Sequence, residues 1–174
     1  MNHMKTFVAL FRGINVGGRN ILPMKELLSL LENNSCHGVK TYIQSGNAVF
    51  RSAEPPKNIC QAVERKFGFK PDVLFIERME FLEMVSANPY NAPKGNQIHF
   101  YFCQDIPNTN EEKLEALKSE TEKYLINGKV AYLYAPDGIG RSKLAANVER
   151  CLGVPATGRN LNTVNKLVEM LQNA

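Results

Sequence analysis

Thr41-Tyr42-Ile43-Gln44-Ser45-Gly46-Asn47-Ala48-Val49-Phe50 has the composition of a β-hairpin. A tight Ser45-Gly46 turn separates two strand-like runs, and its glycine supplies the positive φ that such a connection demands. The spacing predicts a strand over 39–44, a two-residue turn, and a partner strand over 47–51.

The same grammar extends outward from this hairpin. Before it, Thr6-Phe7-Val8-Ala9-Leu10-Phe11 is apolar on both alternating faces, as a doubly covered central strand must be. A loop over 12–22 follows, and Pro23 opens a helix whose Met24, Leu27, Leu28 and Leu31 form one buried stripe. After the hairpin, Pro55-Pro56 opens a second helix carrying Ile59, Ala62, Val63 and Phe67, which Gly68 ends. A strand over 71–76 completes β-α-β-β-α-β, and a connecting helix is expected over 77–87.

The pattern then repeats. Residues 97–103 are again apolar on both faces, and Thr109-Asn110-Glu111-Glu112 has the spacing of a capping box. Strands over 120–126 and 129–135 flank Asn127-Gly128, a pair suited to a type I′ turn. Ser142 caps a helix burying Leu144, Val148, Cys151 and Leu152, with Gly153 as its stop. A short strand over 156–158 and a final helix with Val164, Leu167, Val168 and Leu171 end the chain.

This order predicts an α+β fold of two ferredoxin-like halves, a pseudo-duplication, plus a C-terminal helix. The expected division is residues 1–87, a linker at 88–96 rich in Pro and Asn, and residues 97–174. One continuous mixed sheet with helices on both sides is the rival. Sheet order 4-1-3-2 brings the loop after the first strand to the same edge as Gln44, Ser45 and Asn47. It also leaves one sheet face to be buried against the other half or a partner, so a homodimer is among the expected partners.

Composition narrows the function classes. With 174 residues, 44% hydrophobic and 22% charged, the chain is neither disordered nor a polycation, and its net charge of +4 tolerates acidic ligands. Cys36, Cys60, Cys103 and Cys151 form no C-x-x-C pair and read as core thiols in a reducing compartment. His3, His37 and His99 are dispersed, so neither a metal nor a cofactor is expected. Met1-Asn2-His3-Met4-Lys5 runs straight into a strand, and no apolar run has spanning length. The expectation is a cytoplasmic protein without a membrane partner.

Arg12-Gly13-Ile14-Asn15-Val16-Gly17-Gly18-Arg19-Asn20 is the most distinctive stretch, leaving a buried strand ahead of a helix whose N-terminus attracts anions. Its glycine spacing mimics a P-loop, but Arg19-Asn20 stands where Lys and Ser/Thr are required. Either the glycines merely provide positive φ while Asn15 and Asn20 bond backbone, or the loop holds an anion. Gln44, Ser45 and Asn47 offer further polar groups at that edge. Arg141, Ser142 and Lys143 put two cations and a hydroxyl at another helix start, and Arg159, Asn160 and Asn162 precede the last helix with more caps than it needs.

Phe11-Arg12-Gly13-Ile14-Asn15-Val16-Gly17-Gly18, with Pro23-Met24 and Leu27 behind it, resembles the opening of the bacterial domain-of-unknown-function 1697 family. The hairpin stretch from Thr41 to Phe50 resembles its second signature. Gly140-Arg141-Ser142-Lys143-Leu144 and Thr157-Gly158-Arg159-Asn160-Leu161-Asn162-Thr163-Val164 resemble its third and fourth. The family usually carries tryptophan where this chain has Leu161. The resemblance implies a doubled ferredoxin-like arrangement and no established activity.

Three functions remain open: a binder of a phosphate-bearing ligand (nucleotide or nucleic acid), an enzyme on a small polar substrate between the halves, or a structural protein. No nucleophile motif and no acid–base pair is identifiable, so catalytic residues are left unassigned.

Overall fold

The first strand, β1 (Lys5–Arg12), is apolar on both faces because both are covered: Val8, Ala9, Leu10 and Phe11 are all fully buried. The computed structural model describes residues 3–174. β1 is followed by α1 (Met24–Glu32), β2 (His37–Tyr42), β3 (Asn47–Ser52), α2 (Ile59–Phe67) and β4 (Asp72–Glu77). The strands form an antiparallel sheet in the order β2-β3-β1-β4, with Ala9 opposite Ala48 on one side and Phe75 on the other. Phe7, Ala9 and Phe11 face the stripe of Leu27, Leu31, Ile59 and Val63 supplied by α1 and α2.

After α3 (Arg78–Ser86) and a 3-10 turn at Gly95–Gln97, the sequence of elements recurs. β5 (Ile98–Cys103), α4 (Glu111–Leu117), β6 (Lys123–Asn127), β7 (Val130–Tyr134), α5 (Lys143–Leu152) and β8 (Ala156–Asn160) build a second antiparallel sheet, ordered β6-β7-β5-β8. Tyr101, Cys103, Ala131 and Leu133 pack under Leu114, Leu144, Val148 and Leu152. On the opposite face Phe100, Phe102 and Tyr132 are fully buried, with Phe100 and Tyr132 edge to face at 5.1 Å. The terminal helix is α6 (Leu161–Gln172). The α+β class, the doubling and the 4-1-3-2 order are as the sequence implies.

Several local expectations are corrected. The 43–46 connection spans four residues, Ile43 to Gly46, because Tyr42 pairs with Asn47 and the strands stop earlier. Helix α2 begins at Ile59, not at Pro55-Pro56; a proline pair followed by a turn at Lys57-Asn58 keeps the backbone extended until then. The Thr109 capping box does not form, since Asn110 is the cap and its side chain accepts from the Lys113 N–H. In the second hairpin Asn127 pairs with Val130, so Gly128-Lys129 is the turn. Positive φ is found there at Gly128 alone, which is the requirement of a type II′ turn. Strand β8 extends to Asn160, absorbing Thr157 to Arg159 into the sheet rather than leaving them as helix caps.

The chain divides into two compact units: residues 1–83 with 166–174, and residues 84–165. The latter part of α6 thus belongs with the first unit. The Pro/Asn-rich stretch at 88–96 lies inside the second, where Tyr90 stacks on Tyr134 at 6.1 Å and Asn88 bonds both the N–H and the carbonyl of Tyr90.

Candidate functional site

The glycine-rich loop and the first hairpin do meet at one edge. The Phe11 N–H donates to the Gly46 carbonyl at 2.8 Å, and the Asn15 side chain reaches the Gln44 carbonyl at 2.9 Å. Gly46 is required by this approach: at φ 91° a Cβ would lie 2.6 Å from Ile14 Cδ1 and 2.8 Å from Phe11 Cβ. Val16 and Arg19 pair as a miniature ribbon across Gly17-Gly18, both at positive φ as a type I′ turn demands.

The polar groups of this edge are largely turned to the protein itself. Asn15 Nδ2 also donates to the Leu22 carbonyl, its Oδ1 accepts from the Leu22 N–H, and Asn20 Nδ2 donates to the Gly13 carbonyl. Asn47 is fully buried and donates to the Tyr42 carbonyl and Ser45 Oγ. Arg12 is half-buried opposite Asp72 in the register, while Arg19 and Gln44 are exposed. Asn15, Asn20 and Asn47 thus spend their side-chain amides on holding the tip together. Of the amide hydrogens, those of Asn15, Val16 and Arg19 are engaged within the loop.

The second unit brings together a different set. Ser142 caps α5 by accepting from the Ala145 N–H at 3.0 Å, and its hydroxyl donates to Glu122 at 2.5 Å. Glu122 is 95% buried, and its other oxygen accepts from the Ser119 N–H at 2.9 Å. Thr121 donates to Asp137 at 2.7 Å, tying the 119–122 turn to the segment before α5. Between these lies a groove of about 560 Å³ lined by Lys118, Ser119, Glu122, Asp137, Arg141 and Lys143 among others. Arg141 and Lys143 are exposed and have no carboxylate within 4.0 Å among the described residues. Lys118 lies 3.8 Å from Glu115.

Arg141, Ser142 and Lys143 were legible as a cluster; Lys118 and Glu122 were not. Glu122 falls three residues after Ser119, the spacing that lets a carboxylate reach back to a backbone N–H. An expected strand beginning at 120 hid it. Arg159, Asn160 and Asn162 belong to neither place. Arg159 pairs with Phe100 in the sheet register and donates to the Gly158 carbonyl, and burial pushes its guanidinium down to about 10. Asn160 caps α6 by accepting from the Thr163 N–H, and Asn162 Oδ1 rests against Gly95, where a Cβ would be only 2.0 Å away.

Among the described residues no group of three or more His, Cys, Asp or Glu is positioned to hold a metal ion, and no helix is long and apolar enough to cross a membrane. All four cysteines are free and buried; burial raises Cys36, Cys60 and Cys103 to about 11, far from a reactive thiolate.

Comparison with solved structures finds a conserved bacterial protein from Streptococcus pneumoniae. It is 22% identical, with a TM-score of 0.67 over 97% of this chain and 99% of that one, which supports the fold. A protein from Bacteroides thetaiotaomicron covers 89% of this chain and 92% of its own at 12% identity, but its TM-score of 0.23 is too low to bear on the fold. No curated protein matches. The family model described as "Protein of unknown function (DUF1697)" matches residues 4–132, stopping short of the motifs at Gly140–Leu144 and Thr157–Val164. The chain belongs to this family of unknown function.

Proposed function

We propose that this protein binds a phosphate-bearing small molecule of mononucleotide size in the groove at the start of α5. The observation that carries this reading is the groove itself: about 560 Å³ of concave space with Lys118, Arg141 and Lys143 on its walls. Sites of a few hundred Å³ hold ligands of nucleotide size. The α5 N-terminus adds a partial positive charge, because the N–H groups of its first turn have no acceptor within the helix. Ser142 and Glu122 fix the cap and the 119–122 turn against each other, so the cations are carried on a pre-shaped wall. Glu122 and Asp137 temper the positive charge, which favours a ligand with hydroxyl or amino donors beside its phosphate over a bare polyanion.

Titration calorimetry with adenosine monophosphate, adenosine triphosphate and inorganic phosphate tests the proposal. Nucleotide binding that disappears in an R141A/K143A double variant of unchanged melting temperature is the expected result. No heat from any of the three at low salt discards it. Nucleic acid is separable by salt, since polyphosphate binding weakens steeply as counterions compete whereas a single-phosphate pocket loses much less.

A catalytic reading has one observation in its favour, the hydroxyl of Ser142 donating to a buried carboxylate beside the groove. Release of phosphate from a bound nucleotide by the wild type and not by E122Q would replace the binding reading with that one.

A further inference from the structure

Asn15 is the knot of the first unit's tip, bonded to both backbone groups of Leu22 and to the carbonyl of Gln44. Three exposed aliphatic side chains sit one residue away from this knot. Val16 adjoins Asn15, Ile21 adjoins Leu22 and Ile43 adjoins Gln44, with exposures of 65%, 56% and 47%. Ile43 is also held at φ 48°, a left-handed conformation that crowds a β-branched side chain and that Asn or Gly adopts at lower cost. Folding gains little from a strained isoleucine that leaves about half of its surface in water.

Within 12–25 and 43–46 the charged residues, Arg12, Arg19 and Lys25, are all cationic, and the adjoining Glu26 is paired with Lys66. Arg19 and Lys25 are exposed, and neither has a carboxylate within 4.0 Å among the described residues. No Asp or Glu occurs in 12–25 or 43–46; the one nearest in register is Asp72, opposite Arg12. The N–H groups of Gly17 and Gly18 have no acceptor among the described residues, so they add two backbone donors to the same turn.

We propose that this tip is a docking surface for an acidic, aliphatic-rich segment of another protein. Val16, Ile21 and Ile43 form the apolar centre. Arg19, Lys25 and the glycine N–H groups meet carboxylates around it, the arrangement of an apolar patch inside a polar rim. Other occupants match these residues less well. Nucleic-acid bases are held by stacking on rings, and the three side chains offer none. Interfacial membrane anchors present the apolar face of an amphipathic helix, whereas Val16, Ile21 and Ile43 stand on loops and turns. A second copy docking patch to patch would set like charges face to face.

The test is selection of a phage-displayed library of random dodecapeptides on the full-length protein. The expected peptides interleave Asp or Glu with Leu, Ile, Val or Phe. Remade synthetically, they should bind the wild type and weaken roughly tenfold or more on I43N and on V16S/I21S. The I43N protein should melt no lower than the wild type, which separates lost docking from lost folding. Peptides without acidic enrichment, or acidic peptides that bind the variants as tightly as the wild type, overturn the proposal. It is equally overturned if those substitutions instead abolish binding to phosphatidylcholine–phosphatidylglycerol vesicles or to oligothymidylate, or abolish a concentration-dependent dimer. None of these outcomes depends on the groove at α5, whose ligand is read out by R141A/K143A.

Discussion

Asn15 and Gln44 are 29 residues apart in the chain, yet the Asn15 side chain donates to the Gln44 carbonyl at 2.9 Å and so fastens the glycine-rich loop to the first hairpin. Asn15 does this from φ 52°, a conformation that asparagine tolerates better than most residues. Its amide makes three hydrogen bonds in all, two to Leu22. Replacing it by alanine removes them and adds left-handed strain, so N15A should lose about 2–3 kcal/mol of stability in urea unfolding. N15G, which keeps the backbone conformation, should lose less. Equal loss in the two would show that the side-chain bonds alone matter.

Ile43 offers the opposite sign. At φ 48° and roughly half exposed, its side chain contributes little burial and imposes backbone strain. I43N should therefore stabilise the protein by about 1 kcal/mol, the scale of left-handed strain on a β-branched residue. I43V keeps the branch and should gain nothing. Parallel urea midpoints for the two variants decide the matter; a destabilised I43N would mean that the isoleucine packs better than its exposure indicates.

The contrast between Asn15 and Glu122 shows what the sequence could and could not reveal. Strand order, helix stripes and the meeting of the loop with the hairpin followed from local patterns, because a doubly apolar strand such as 6–11 has few places to go. That Asn15 would bond the backbone was also legible, since its side chain commonly completes turns. Turn lengths were less so: whether Gly46 closes a two- or a four-residue connection depends on Ile14 and Phe11 packing over it, which is tertiary. Glu122 was invisible for the same reason. Its partner Ser142 lies 20 residues away, and no local periodicity marks the pair. Arg159 read as part of the cap-rich entry to the last helix, whereas β8 runs on to Asn160 and sets it in the sheet opposite Phe100.

His99 supplies a pH dependence. Its ring is 93% buried on β5 and bonds the Asn96 carbonyl at 2.9 Å, so Nε2 carries the proton in the neutral form. Burial lowers its pKa below 6.5, outweighing the raising effect of that carbonyl. The unfolded chain therefore binds a proton more readily than the folded one. The His99 contribution to stability is full above pH 6.5 and is lost as pH falls from there through the folded-state value. The slope is at most about 1.4 kcal/mol per pH unit for one proton. Unfolding free energies between pH 7 and pH 5 should fall more steeply for the wild type than for H99Q. Parallel curves for the two proteins would mean that His99 titrates alike folded and unfolded.

Ser142 and Glu122 make the most consequential pair in the second unit, because the hydroxyl serves two partners at once. It accepts from the Ala145 N–H as the α5 cap and donates to a carboxylate that is almost fully buried. In S142A the helix loses its cap, worth about 1 kcal/mol, and Glu122 keeps a buried oxygen with one donor fewer, which costs a further 1–3 kcal/mol. E122Q removes the charge while leaving an acceptor on one side, so it should cost less than S142A. If the two side chains act as one unit, the double variant S142A/E122Q will be less destabilised than the sum of the singles, by about 1 kcal/mol or more. A double-mutant cycle in urea measures that difference directly. Strict additivity would mean that Glu122 is held in place by the Ser119 N–H alone and that the wall of the groove does not depend on the serine hydroxyl.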